Sequence, residues 1–122
     1  ATAAARPGEW LLGEALTNLL VGLGRERRGE RLSAMRFIQG YALDRLIELA
    51  PQIEAEGAAS RDPFAVERRV EARLPGLATR LPELAQGYGR SIESARAILA
   101  FLEAEFAVDP AIAAAIRALC DG

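Results

Sequence analysis

The apolar residues of this chain recur at helical spacing almost from end to end, and no strand-like alternation of useful length interrupts them. Leu12, Leu16, Leu19, Leu20 and Leu23 mark one face of a first helix running from about Glu9 to Arg28. Gly29 stops that helix, and Arg25, Arg27 and Arg28 fall in its last turn, where cations meet the negative end of the helix dipole. A second helix opens near Glu30, and Met35, Ile38, Ala42, Leu46, Leu49 and Ile53 form a single stripe along it. Phe37, Tyr41 and Leu43 widen the stripe, which predicts that this helix touches more than one neighbour. Pro51 kinks it or ends it near Ala50.

Gly57 to Arg61 reads as a loop, and Asp62-Pro63 as an N-cap followed by proline at the first helical position. A short helix carrying Val66, Val70 and Leu74 is expected next, ending at Pro75-Gly76. The pattern resumes through Leu77, Leu81, Leu84 and Tyr88, broken by Pro82, Gly87 and Gly89, and then steps regularly through Ile92, Ala95, Leu99, Leu102 and Phe106. Periodicity leaves open whether Pro82 to Ala107 is one helix or two. Asp109-Pro110 repeats the capping device and opens a last helix with Ile112, Ile116 and Leu119. These segments predict an all-α fold, an up-and-down antiparallel bundle of four main helices plus a short C-terminal one. Residues 1–8 lack any periodic pattern and read as a linker or cut end, leaving 9–122 as one domain.

Composition adds to this in three places. The 122 residues suit one domain with a real core, 51% being hydrophobic and 26% charged. All 15 basic residues are Arg, against 17 acidic ones, and the net charge of −2 argues against a nucleic-acid partner. Abundant Ala, with Arg in place of Lys, suggests a GC-rich bacterial source. No apolar run approaches the roughly 20 residues that span a bilayer, and no signal-peptide pattern opens the chain. The single Cys120 excludes an internal disulfide and fits a reducing cytoplasm, and it is expected to serve packing.

The chain contains no histidine. That removes Ser-His-Asp and Cys-His catalysis, the common zinc sites and the Arg-x4-6-His ribonuclease motif of small helical toxins. Asn18 and Gln39 lie beside apolar stripes, where each is either a ligand contact or an amide bonded within the bundle. Glu67-Arg68-Arg69 with Glu71 and Arg73 is a recognition patch or a solvated helix face, and Asp44, Arg45 and Glu48 carry the same pair of readings. Gly22, Gly24 and Gly40 fall inside helices at about 1 kcal/mol each, which points to a close approach by a ligand or by a neighbouring helix. Trp10 is expected to staple the start of the first helix.

Glu14-Ala15-Leu16-Thr17-Asn18-Leu19-Leu20, followed by Arg28-Gly29-Glu30 and the helix through Met35, Gln39, Tyr41 and Asp44 to Arg45, resembles the C-terminal helical domain of lincosamide and aminoglycoside nucleotidyltransferases. In that family a first helix with an Asn-Leu pair leads through an Arg-Gly-Glu turn into a long second helix. The stretch from about Pro82 to Phe106 is similar to its later bundle helix. The resemblance covers about 40 residues closely and the rest by helix layout. It implies an antibiotic-resistance function divided between two domains. A catalytic nucleotidyltransferase domain, N-terminal or separate, holds ATP or another nucleoside triphosphate and Mg on Gly-Ser and paired Asp residues. The helical domain supplies part of the acceptor wall. The Gly-Ser and Asp-x-Asp pattern does not occur here, so this chain is expected not to transfer a nucleotide by itself and to hold no metal. Glu14 and Asp44 would then attract an amine-bearing acceptor, and Asn18, Gln39 and Tyr41 would orient its hydroxyls. The rival reading is a structural or dimerising bundle in which the wide arc of the second helix is a subunit interface.

Overall fold

The computed structural model describes residues 7–57, 62 and 64–122, and their regular structure is all helical, with no strand among them. The first helix, α1 (Gly8–Arg27), follows Pro7 and carries its basic last turn as expected. Its buried face is Leu11, Ala15, Leu16, Leu19, Gly22 and Leu23, one position round from the predicted stripe, with Leu12 and Leu20 on the margin. Gly29 takes φ +80 and ends the helix, a conformation that suits a residue without Cβ.

A continuous helical rod follows. It consists of α2 (Arg31–Met35), a π-helical stretch (Arg36–Ala42), α3 (Leu43–Leu49) and a final 3₁₀ turn (Ala50–Gln52) where Pro51 stops it. The wider π turns were not legible in the spacing. They seat Ala34, Ile38, Ala42, Leu46 and Leu49 in the core, leaving Met35 half-buried and Ile53 exposed past the rod's end.

The middle of the chain departs from expectation. Asp62 does accept a hydrogen bond, from Phe64 N at 2.9 Å, but residues 64–69 form turns and not a helix. Pro63 and Ala58 to Arg61 lie outside the described residues. Helix resumes only as three single-turn pieces, α4 (Val70–Arg73), α5 (Pro75–Ala78) and α6 (Leu81–Leu84). Pro75 and Pro82 start pieces but cannot continue them, because proline lacks the amide that an interior turn needs. Arg69, at φ 59, makes the turn into α4.

Pro82 to Ala107 is therefore two helices. Ala85 to Gly87 and a 3₁₀ turn (Tyr88–Arg90) separate α6 from α7 (Ser91–Glu105). The last helix, α8 (Pro110–Asp121), begins as the sequence predicts, with the Asp109 carboxylate accepting from Ala111 N at 2.8 Å and proline in the first turn. The long elements α1, the rod, α7 and α8 share one core, which Val70, Leu74, Leu77 and Leu84 close from the short pieces. Arg27 ties the end of α1 to the end of α8 by donating to the carbonyls of Leu119 and Cys120.

Candidate functional site

The helices that carry the predicted site residues, α1 and the rod, lie antiparallel. Glu14 meets Arg45, Gly22 faces Ile38, and Arg25 donates to Ser33 at 2.9 Å, so the register runs the length of the hairpin. Gly22 is where the helices approach most closely, because a Cβ there would stand 2.5 Å from Ile38 Cγ1. Gly40 faces open space and Gly24 meets only the tip of Arg28, so close helix crossing accounts for one of the three helical glycines.

At the N-terminal end of α1 this register assembles a charged group around one arginine. The Arg45 guanidinium bonds Glu48 at 2.5 Å, lies 3.9 Å from Glu14 and stacks over the Trp10 ring at 5.4 Å. Its Nε is buried without a hydrogen-bond acceptor, so the cation is held by charge and by the indole face more than by saturated hydrogen bonding. Trp10 thus packs on a cation from the rod. Asp44, next along the rod, is half-buried. Burial raises its pKa to about 6, Glu67 and Glu48 add to the rise, and Arg45 opposes it.

The five predicted contacts divide. Glu14 belongs to this cluster, and Asp44 is joined to it through the charges of Arg45 and Glu48. Asn18, one turn beyond Glu14 on α1, is partly buried and level with Tyr41 in the hairpin register. Tyr41 is exposed, its ring edge-on to Phe37 with centroids 5.1 Å apart. Gln39 faces elsewhere. Its amide accepts from Gly87 N and donates to Gly87 O, both at 2.8 Å, and also donates to Ser91 Oγ, which clamps the turn before α7. That is the bundle-internal role weighed for it above. Glu67, Arg68 and Arg69 are exposed but lie in turns, where Arg68 pairs with Asp62 at 3.2 Å and Glu67 acts on Asp44 from across the chain.

No family model, curated protein or solved structure matches the chain. The chemistry must be read from the residues themselves. Among the described residues, no group of three or more His, Cys, Asp and Glu side chains could hold a metal ion, and no helix is long and apolar enough to cross a membrane. A cleft of about 120 Å³ opens between α7 and α8, lined by Arg96, Leu99, Glu103, Arg117 and Cys120. Its arginines are engaged by Asp121 and Glu103, and burial pushes the Cys120 thiol above its ordinary pKa, which makes it a poor nucleophile. The group around Arg45 therefore has the richer chemistry. Sequence reasoning placed two of its carboxylates and saw the Asp44, Arg45, Glu48 run, but had no means of knowing that Trp10 and Glu67 come to it from elsewhere in the chain.

Proposed function

We propose that this chain is a binding domain for an amine-bearing acceptor, the helical part of a nucleotidyltransferase of the lincosamide or aminoglycoside type. The observation that carries the reading is Asp44. This half-buried carboxylate has its charge penalised first by burial and then by Glu67 and Glu48, with Arg45 offsetting only part of the penalty. A ligand ammonium group beside it would relieve both the repulsion and the burial penalty. In this reading Glu14 and Asp44 bind the amine, Asn18 and Tyr41 address hydroxyls from the same side of the hairpin, and Gln39 supports the adjoining turn. The nucleotide and Mg belong to a catalytic domain, fused or separate, and the chain alone has no group assigned to the transfer step.

The four long elements then form an up-and-down bundle whose first antiparallel pair, α1 and the rod, builds the binding wall. The free thiol of Cys120 suits a reducing bacterial cytoplasm.

Calorimetric titration with a lincosamide and with an aminoglycoside tests the reading. Binding is expected to tighten as pH rises from 5 to 7.5, because ionised Asp44 attracts the ammonium, and Asp44→Asn is expected to weaken it about tenfold. Equal binding by wild type and D44N, or no binding of either drug class, would overturn the amine site. Nucleotide transfer by the purified chain with ATP and Mg would overturn the division of labour.

A further inference from the structure

At the far end of the hairpin from Trp10, two large apolar side chains stand in solvent on neighbouring elements. Leu32 on α2 is 51% exposed and Tyr88 in the 3₁₀ turn is 54% exposed, and α2 runs along that turn. The Gln39 clamp on Gly87 and Ser91 fixes the turn to the rod, so Tyr88 is presented from a held position. Leu32 and Arg36 lie one helical turn apart along the rod, with Gln39 a further turn on. Arg28, Arg31 and Arg90, within four residues of Leu32 or Tyr88 along the chain, are each about three-fifths exposed.

The charge of this patch defines what fits it. Arg25 is engaged by Ser33 and the Phe37 ring, and Arg36 pairs with no carboxylate among the described residues. The carboxylates nearby are Glu26, Glu30 and Glu93, set against Arg25, Arg28, Arg31, Arg36 and Arg90. Arg28, Arg31 and Arg90 pair with Glu30, Glu26 and Glu93 in turn, so Arg25 and Arg36 are the local positive surplus, on a chain whose net charge is −2. Guanidinium groups bind carboxylates through paired, directional hydrogen bonds, and exposed Leu and Tyr favour apolar side chains.

We infer that the patch of Leu32, Arg36 and Tyr88, rimmed by Arg28, Arg31 and Arg90, docks an acidic segment of a partner protein that carries apolar side chains between its carboxylates. A long polyanion fits less well. The overall acidity of the chain and the carboxylates gathered around Arg45 at the opposite end repel it, and phosphate backbone leaves Leu32 without a partner.

The test is an amide NMR titration of the 122-residue chain with a 12-residue peptide alternating Glu with Leu and Phe. Controls are the same peptide with Lys for Glu, and a 12-nucleotide oligo-dT. Shifts confined to residues 28–36 and 86–91, weakened several-fold between about 50 and 200 mM salt, are expected from the acidic peptide only. R36A and Y88A, both at exposed positions, are each expected to weaken binding at least about fivefold, with helicity by circular dichroism unchanged. Equal binding of the Lys peptide, tighter binding of oligo-dT, shifts elsewhere, or self-association through this patch in sedimentation would each overturn the inference. None of these readouts depends on Asp44.

Discussion

Asp44 shows how one side chain can carry opposite signs for stability and for binding. Its folded pKa, about 6, lies above the ordinary 3.8, so the folded state holds the proton more tightly than the unfolded chain does. That contribution favours folding below about pH 4 and is lost as pH rises through 6. Asp44→Asn is therefore expected to raise the melting temperature at pH 7.5 and to leave it nearly unchanged at pH 4, while weakening the proposed amine binding. Arg45 opposes the shift, so Arg45→Gln is expected to push the Asp44 pKa further up, as carboxyl carbon chemical shifts across pH would record. The glycines make a second pair of contrasts. Gly22→Ala drives a Cβ to 2.5 Å from Ile38, itself in the core, and is expected to destabilise by about 1–3 kcal/mol in urea unfolding. Gly40→Ala meets nothing and is expected to be neutral or stabilising by up to about 1 kcal/mol. Sequence alone treated these two positions alike, since both sit in helices and only the packing partner distinguishes them.

Among elements, the segment from Glu54 to Leu84 depends on side chains for what longer helices obtain from their own backbone. Arg73 is 1% exposed, donates to the carbonyls of Val66 and Arg68, and pairs with Glu56 at 3.5 Å. Glu54 supplies both carboxylate oxygens to the amides of Gly76 and Leu77, at 2.6 and 2.9 Å, where α5 begins. Single-turn helices have almost no internal hydrogen bonding to hold them, so these contacts set the path of the chain. Arg73→Ala empties a buried site and leaves the part-buried carbonyls of Val66 and Arg68 without this donor, and is expected to destabilise by about 2–4 kcal/mol, read from denaturant midpoints. The sequence made the long helices legible because their apolar spacing is redundant over many turns. It carried the helix of Val70–Arg73 back to Val66 because three apolar residues at helical spacing also fit a string of turns closed over a core. The charged run Glu67-Arg68-Arg69 likewise lost its helical setting, and with it the predicted pairing along one face.

Over the whole molecule, the core is continuous and the C-terminal ends of α1 and α8 meet through Arg27 and the last carbonyls of α8. Cys120 is buried at that junction, so its alkylation by iodoacetamide is expected to be slow in the native protein and to quicken in step with loss of helicity in urea. Arg27→Ala is expected to quicken it without denaturant, because α8 loses the two bonds that cap its end. The helical character of the chain, the Asp109-Pro110 opening of α8 and the absence of histidine chemistry were determined by sequence, since each depends on neighbours within a few residues. The π turns, the clamp of Gln39 on Gly87, the meeting of Trp10 with Arg45 and the action of Glu67 on Asp44 were decided only by tertiary structure. Each of these joins residues far apart in the chain or reflects a backbone adjustment to a packing surface, and local spacing holds no record of either.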